Sequence, residues 1–425
     1  MHLRYDCFLR IGWFFLIACH RLFVVTEIIA GVLIGTILGT ISGLVPGIHA
    51  NTMAGMMIAA ESGLLAILGA PAVGVALFSA LVVHTFTDCV PSTFFGVPDA
   101  DTAISVLPAH ALCMQGRGEE AVRLSALGSA VSVIMVMPLF AVFMVFLPGL
   151  QPLIDWWLGI ILILVAGMLI LSSESPEWSA AVFLLSGILG VFAFHYTWLI
   201  SHTSGVSSVL MPLLTGLFGI SVLLRASGGK MPEQVRADAF PEDTHFFWHS
   251  GIGTMAGAVV GWLPGLSNAT ANALLSPLFR AGSEGKGYII ATSAANTANA
   301  FLGLAALIAL GRMRNGVMVV LDTIGMPSPL LIVAGGVAAA ICGFMITLAC
   351  GRGARFLGGI PVRAMSYVVI GVVTLLAFML TGLFGLFILV CATLVGLIPS
   401  LVNVRRVTCM GAVMVPVILF SLNIL

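Results

Sequence analysis

Long apolar runs that carry almost no charge constrain this chain more than any other feature. Residues 122–148 and 364–382 are two of these runs. A helix needs about 20 mostly apolar residues to cross a hydrocarbon core of about 30 Å. Over the 425 residues, 60% are hydrophobic and 8% are charged, against about 25% charged in a soluble domain. The sequence therefore predicts an all-α integral membrane protein of the cell membrane, with about 10–12 transmembrane helices.

The charge balance and the cysteines exclude several other classes. Lys and Arg together number 17, and so do Asp and Glu, and no basic patch is dense enough to bind nucleic acid. The eight cysteines show neither a CxxC pair nor the Cys/His spacing of a metal site. We interpret them as small apolar side chains, and we expect neither a metal nor an organic cofactor.

Polar residues are concentrated between Arg225 and His245, where the chain holds charges of both signs and two prolines. We interpret this stretch as a linker between two halves of the protein. The predicted organisation is an N-terminal extension or interfacial segment (1–21), a first membrane repeat (22–225), a polar linker (226–248) and a second membrane repeat (249–425).

Arginines also predict which side of the membrane a connection occupies. The clusters are Arg312 with Arg314, Arg352 with Arg355 and Arg363, and Arg405 with Arg406. By the positive-inside rule, each cluster should be cytoplasmic.

The two halves contain related segments. Residues 35–52 read GTILGTISGLVPGIHANT, and residues 253–270 read GTMAGAVVGWLPGLSNAT. Aligned without gaps at an offset of 218 residues, they share the glycine spacing, the Pro-Gly pair and the final threonine. Glycines four residues apart form a helix face that lets another backbone approach closely. The sequence thus predicts two pseudo-symmetric repeats, each with a close-packed glycine helix.

The Pro-Gly pairs should interrupt these helices, since proline removes a hydrogen-bond donor and glycine permits positive φ. A helix that restarts after the break directs free N–H groups and its positive dipole end into the gap, which favours an anion. Interrupted helices at corresponding positions of two halves are typical of a secondary transporter's site. We therefore predict broken or re-entrant helices with the substrate-binding residues Pro46, Gly47, His49, Asn51, Thr52, Pro264, Gly265, Ser267, Asn268, Thr270 and Asn272. Ordinary kinks, with amides that only join helices, are the alternative.

A second polar element follows in the later half, in the run SAANTANA that begins at Ser293. Its surroundings are apolar, where an unsatisfied amide is expensive. We add Asn296, Thr297 and Asn299 to the predicted substrate-binding residues, with structural hydrogen bonding as an equal alternative.

Ionisable residues in or beside the spans are candidates for cation coupling. His84 and Asp88 are four residues apart, so they would share one face of a helix. They would form a proton-coupling pair or, as the favoured alternative, a structural hydrogen bond. Asp99 and Asp101 are further candidates, although a solvated loop also accounts for them.

On these motifs the chain resembles the large membrane subunit of tripartite tricarboxylate transporters. The resemblance covers most of the chain in order. It is carried by residues 31–60, by 92–128 with Phe95-Gly96-Val97-Pro98 and 110–126, and by Pro264-Gly265 and 294–303. The chain departs from the family pattern at Asp99, where glycine is usual, at Thr297, where asparagine is usual, and at Ser293, where an acidic residue is usual. These departures indicate a divergent branch.

The resemblance implies a permease for a small organic anion, such as a carboxylate, coupled to Na⁺ or H⁺. It also implies two partners, a small membrane subunit and a solute-binding protein. Transport would alternate access around the two Pro-Gly hairpins. A membrane-embedded enzyme and a channel are the competing classes, and no HExxH, GxSxG or P-loop motif supports an enzyme. The sequence leaves open whether the protein forms a homo-oligomer.

Overall fold

The computed structural model describes residues 25–45, 61–95, 106–200, 209–225, 232–236, 245–263, 268, 271, 275, 285–313, 315–353 and 361–424. The helices of this described part are, in chain order, α1 (Val25–Leu44), α2 (Glu61–Thr87), α3 (Cys89–Phe95), α4 (Val106–Met114), α5 (Gly118–Leu171), α6 (Pro176–His195), α7 (Leu210–Leu223), α8 (Phe246–Trp262), α9 (Lys286–Leu310), α10 (Gly316–Thr323), α11 (Pro329–Gly353), α12 (Val362–Leu401) and α13 (Gly411–Ser421). Short 3₁₀ turns lie at Thr197–Leu199 and Arg406–Met410.

Seven of the described helices are long and apolar enough to cross a bilayer, which confirms the all-α membrane architecture. Two of them exceed the length that one crossing needs, since α5 has 54 residues and α12 has 40. Helix α12 is interrupted at Gly382, whose φ of 67° is not helical. Helix α5 contains Pro138, Pro148 and Pro152, the positions where a helix bends most readily. The apolar run 122–148 therefore lies within one longer helix, whereas the run 364–382 ends at the interruption in α12, and the count of 10–12 crossings stays a prediction.

Helices α2 and α9 form the buried centre of the protein. In their most apolar windows 78% and 72% of the residues are buried, against 22% in α5. The rings of Phe78 and Phe301 meet edge to face between them, with centroids 5.2 Å apart. Outer helices instead expose large apolar side chains such as Trp156 and Leu383, which suits a surface covered by lipid.

The glycine faces of α1 and α8 pack against α2 and α9 in one register. Four glycines form these faces: Gly35 and Gly39 on α1, and Gly253 and Gly257 on α8. A β-carbon added to any of them would come closer than 3.0 Å to a carbonyl oxygen of the neighbouring helix. The contacts are Gly35 with Ala76, Gly39 with Ala80, Gly253 with Ala291, and Gly257 with Ala295. The glycines differ by 218 positions between the halves, and their partner alanines differ by 215. The close backbone approach expected from the glycine spacing is present in both halves.

Helices α2 and α9 run antiparallel to each other. As residue numbers rise toward the end of α2 and just beyond it, the numbers of the contacting residues in α9 fall. The pairs are Phe78 with Phe301, Thr85 with Thr297, and Asp88 with Asn296. Helix α1 runs parallel to its partner α2, and α8 runs parallel to its partner α9, so these two helix pairs point in opposite directions.

Ion pairs mark the two ends of α9. At its first residue, the Lys286 ammonium lies 3.0 Å from a carboxylate oxygen of Glu120. Just beyond its last residue, Arg312 pairs with Asp155. We call these ends the Lys286 side and the Arg312 side of the protein.

The positions of two basic clusters correct one prediction. Arg352 lies 3.9 Å from Glu119, which precedes Glu120, and so belongs to the Lys286 side. Arg312 lies at the opposite end of a single 25-residue helix, so the prediction that both clusters are cytoplasmic is wrong. Arginines therefore lie at both ends of α9, and the rule does not distinguish the two sides here.

The described part of the linker, residues 232–236, packs against the first half. The Gln234 side chain accepts a hydrogen bond from the Gly118 amide and donates one to the Cys113 carbonyl, at 3.0 and 3.1 Å. The Val235 amide donates to the Gly116 carbonyl at 2.8 Å. The linker is therefore anchored at the Lys286 side.

Candidate functional site

Two polar residues lie near the middle of α9. The surrounding alanines favour a helix, and they place Asn296 and Thr297 about halfway between Lys286 and Leu310. Asn296 is 4% exposed and Thr297 is fully buried. Because a buried amide without partners is expensive, the contacts of Asn296 decide whether this position is tolerated.

Asn296 is the middle member of a buried hydrogen-bonded chain. Its side-chain amide nitrogen donates to Oδ2 of Asp88 at 2.7 Å. Its oxygen accepts from the Asn268 side-chain nitrogen, also at 2.7 Å. Asp88 follows α2 in the first half, whereas Asn268 and Asn296 belong to the second. One amide therefore joins the two halves through a carboxylate.

The last residue of this hydrogen-bonded chain, Asn268, has a side-chain oxygen that could accept a further hydrogen bond or bind a cation. Asn268 is fully buried, and within the described part of the protein its Oδ1 finds no hydrogen-bond partner. Buried polar atoms without a partner are uncommon in folded proteins, and many of those that occur contact an ion or a water molecule. The oxygens of Asp88 and Asn268 are the ligand type preferred by hard cations.

Two hydroxyl groups beside the chain also join the halves. Thr85 and Thr297 approach to 3.1 Å between their Oγ1 atoms. The Thr85 hydroxyl donates to the Val82 carbonyl, so Thr297 is the donor between the two threonines.

His84 lies on the same turn as Asp88 but contacts a different helix. Its Nδ1 lies 3.0 Å from Oγ of Ser42 on α1, and that hydroxyl donates to the Gly39 carbonyl. The pairing of His84 and Asp88 as a proton-coupling unit stays a prediction.

The described residues cover part of the predicted site. Asn268, Asn296, Thr297, His84 and Asp88 are brought to one region between α1, α2 and α9. Asn299 is half-buried and lies beside Gly261, at the contact of α9 with α8. The other predicted positions lie outside the described residues: Pro46, Gly47, His49, Asn51, Thr52, Asp99, Asp101, Pro264, Gly265, Ser267, Thr270 and Asn272.

Both glycine helices end as expected before their Pro-Gly pairs. Helix α1 ends at Leu44 and α8 at Trp262, each two residues before its proline. Leu263, which follows α8, is extended with φ −73° and ψ 120°. Proline disfavours helical backbone in the residue that precedes it, so the sequence explains where both helices stop.

Sequence reasoning missed two contributors to this region. Thr85 and Ser42 were not among the predicted site residues, although each is buried and bonded across helices. A signal was present, because each is a polar residue in an apolar run. Such residues in membrane helices are often hydrogen-bonded to a neighbouring helix.

Taken together, these features define a multi-pass membrane protein with a buried polar site between two antiparallel central helices. Comparison with known proteins adds the family. The tripartite tricarboxylate transporter TctA family matches residues 29–411, and the chain belongs to that family. This confirms the expected family, which is one of membrane transporter components and not of enzymes.

One curated relative provides a partial match. An uncharacterised protein of Methanocaldococcus jannaschii is 30% identical over 246 residues. The match covers 57% of this chain and 60% of the relative, so it spans about three fifths of that protein's length. No solved structure matches the chain.

Proposed function

We propose that this protein is a secondary-active permease for a small organic anion, a carboxylate, coupled to a cation. The observation that carries the proposal is the buried chain Asn268–Asn296–Asp88, which connects the halves near the middle of α9. Carboxylates buried in membrane helices are costly and are commonly part of ion or proton pathways.

Asp88 and the open oxygen of Asn268 are our candidates for cation binding. A proton or Na⁺ would neutralise the Asp88 charge at this depth, which lowers the cost of keeping the carboxylate in the membrane. His84, Asp99 and Asp101 remain candidates for the same role.

The substrate carboxylate would bind where the helices restart after Pro46-Gly47 and Pro264-Gly265. The ends of α1 and α8 at Leu44 and Trp262 support breaks at these points. Backbone N–H groups at a restarting helix would bind the anion. The polar residues that follow each Pro-Gly pair would complete this site.

Alternating access would follow from an inverted repeat. The common register of the glycine contacts and the antiparallel direction of α2 and α9 support this topology. Two similar halves with opposite orientation can exchange conformations across a shared site, which opens it to either side in turn. A small membrane subunit and a solute-binding protein would deliver the substrate, as the family name implies.

Uptake into proteoliposomes tests the proposal. The purified protein would be assayed with labelled di- and tricarboxylates, with a Na⁺ gradient, a pH gradient, both or neither. We expect uptake of at least one acid that rises when one gradient is imposed. Absence of uptake with every acid and gradient, with and without the partner subunits, would contradict the proposal. Uptake that only equilibrates the acid under every gradient would favour a channel.

A further inference from the structure

A large cavity lies on the Arg312 side of the protein, apart from the central site. It has a volume of about 860 Å³ and lies between α5, α6, α13 and the residues that follow α9. Most of its wall is apolar, and examples are Leu158, Val191, Phe194, Val417 and Phe420. Ligand pockets in proteins measure about 300–1,000 Å³ and have apolar walls with a few polar groups that orient the ligand. The cavity therefore suits a ligand whose larger part is apolar.

This cavity opens onto the surface that meets lipid. Phe420 of α13 forms part of its wall and is 74% exposed. Exposed tryptophans adjoin the cavity residues in sequence, with Trp156 and Trp157 on α5 and Trp198 just after α6. Tryptophan is enriched where the hydrocarbon core meets the headgroups. The cavity therefore lies within reach of both acyl chains and headgroups.

The polar groups of the cavity come from helix ends. Among the described residues that line it, His195 and Arg312 carry the polar side chains. His195 is the last residue of α6, and Arg312 lies two residues beyond the end of α9. Asp155, the partner of Arg312, lies three residues before Leu158 and so shares its face of α5. A pair of opposite charges therefore borders an apolar cavity.

The Arg312–Asp155 pair can bind further groups. Its side chains are 27% and 45% exposed. Arg312 and Gln151 both donate to Oδ1 of Asp155, and Oδ2 of Asp155 accepts no hydrogen bond from the residues that the structure describes. A guanidinium has five N–H donors, and Arg312 uses one of its terminal nitrogens for Asp155. The pair can thus donate to an anion at Arg312 and accept from a cation at Asp155.

We propose that this cavity is a binding site for phosphatidylethanolamine. An acyl chain fills the apolar cavity, Arg312 donates to a phosphate oxygen, and the ammonium of the headgroup donates to Oδ2 of Asp155. The headgroup carries one charge of each sign, as the protein pair does, so every charge in the complex has an opposite partner. The site is separate from the Asp88–Asn296–Asn268 chain and does not depend on the proposed transport activity.

The same chemistry distinguishes phosphatidylethanolamine from other phospholipids. Phosphatidylcholine carries the same charges, but its choline has no N–H group to donate to Asp155. Hydrogen bonds between charged groups are roughly twice as strong as those between neutral groups. Phosphatidylglycerol has no cationic group, so Asp155 would repel its charge. We therefore expect binding to be tightest for phosphatidylethanolamine.

Native mass spectrometry of the purified, delipidated protein tests the site. Phosphatidylethanolamine, phosphatidylcholine and phosphatidylglycerol with identical acyl chains would be added in parallel, and the wild type should retain phosphatidylethanolamine preferentially. Arg312→Gln should weaken retention of both zwitterionic lipids about fivefold, the effect of one basic residue at a lipid phosphate. Asp155→Asn should remove most of the preference for phosphatidylethanolamine over phosphatidylcholine, because only the ethanolamine headgroup donates to this carboxylate.

Arg363→Gln and Asp322→Asn are the matched controls, because both positions are exposed and neither lines the cavity. Both variants should retain the three lipids as the wild type does. The comparison of lipids on the wild type keeps the test independent of variants that fold poorly.

Three results would overturn the proposal. One is equal retention of phosphatidylethanolamine and phosphatidylcholine by the wild type. Another is a preference for phosphatidylglycerol, which would assign the cavity to an anionic lipid. The third is a dimer mass in the delipidated protein without any retained lipid, which would assign the cavity to a second copy of the chain.

Discussion

Asn296 shows how one side chain can couple two halves of a membrane protein. An amide donates and accepts at once, so it binds the Asp88 carboxylate and the Asn268 amide together. An aspartate of similar size could donate a hydrogen bond only if it were protonated, and a leucine could form neither hydrogen bond. The residue is therefore specified by its two neighbours, not by helix formation.

Neutralising the carboxylate of this chain gives the first prediction. Asp88→Asn removes a charge but keeps the size of the side chain. We expect the protein to fold while uptake no longer rises with the cation gradient, because the group that would bind the cation has lost its charge. The measurement is uptake with and without the gradient. Asp322→Asn, at an exposed position of α10, is the matched control and should retain full stimulation. An unchanged gradient response in Asp88→Asn would exclude Asp88 as the coupling residue.

The Cys113 thiol gives a second prediction at this scale. Burial raises its pKa to about 11, from an ordinary value of 9.0. Below pH 11 the thiol form therefore dominates, and the reactive thiolate at pH 8 is reduced about a hundredfold by the shift of about 2 in pKa. Alkylation followed by peptide mass spectrometry should find Cys113 almost unmodified in the folded protein at pH 8. A cysteine introduced at the exposed Val235 is the reactive reference, and equal rates would contradict the prediction.

Single residues were predictable from sequence only where chemistry and spacing agree. Asn296, Asn268 and Asp88 stood out as polar residues in apolar runs, and the structure brings them together. Their pairing was not predictable, because it joins positions 28 and 208 residues apart. The spacing of polar residues along the sequence does not show which polar residue of the first half contacts which polar residue of the second half.

At the scale of the helix, the glycine faces determine how closely α1 and α8 approach their partners. The sequence spacing predicted this contact face, and the structure shows the partner carbonyl groups. The spacing did not reveal that the apolar run 122–148 belongs to a longer helix, because apolar residues on both sides of a proline suit one bent helix or two separate ones.

A glycine-to-alanine pair in α8 tests the helix contact. In Gly257→Ala the new methyl group would overlap the Ala295 carbonyl, whereas in Gly251→Ala it would meet nothing within 4 Å. Alanine favours a helix over glycine by up to about 1 kcal/mol, and overpacking costs about 1–3 kcal/mol. The clash should therefore outweigh the propensity at Gly257 only.

Thermal unfolding in detergent measures the difference. Gly257→Ala should lower the Tm and Gly251→Ala should leave it unchanged or raise it slightly. The same fall in both variants, or none in either, would contradict the close contact.

At the scale of the whole molecule, the central helices α2 and α9, each packed against a glycine helix, run antiparallel. The sequence revealed the similarity but not the direction, because a direct repeat in sequence is compatible with either orientation in the membrane. Direction follows only from a series of contacts between α2 and α9, such as Phe78 with Phe301 and Thr85 with Thr297. The positive-inside rule did not resolve it, since Arg352 and Arg312 lie at opposite ends of α9.

The most direct test of the central claim is gradient-driven carboxylate uptake by Asn296→Ala beside Thr292→Val. Asn296 joins the halves, whereas the Thr292 hydroxyl donates only to carbonyl groups of its own helix, at Tyr288 and Ile289. Losing one partner of a buried polar group costs about 1–3 kcal/mol, about 5- to 150-fold in an equilibrium constant. We predict that Asn296→Ala, folded and inserted like the wild type, loses most of its uptake while Thr292→Val keeps it. Wild-type uptake in Asn296→Ala would contradict a transport site built on this chain.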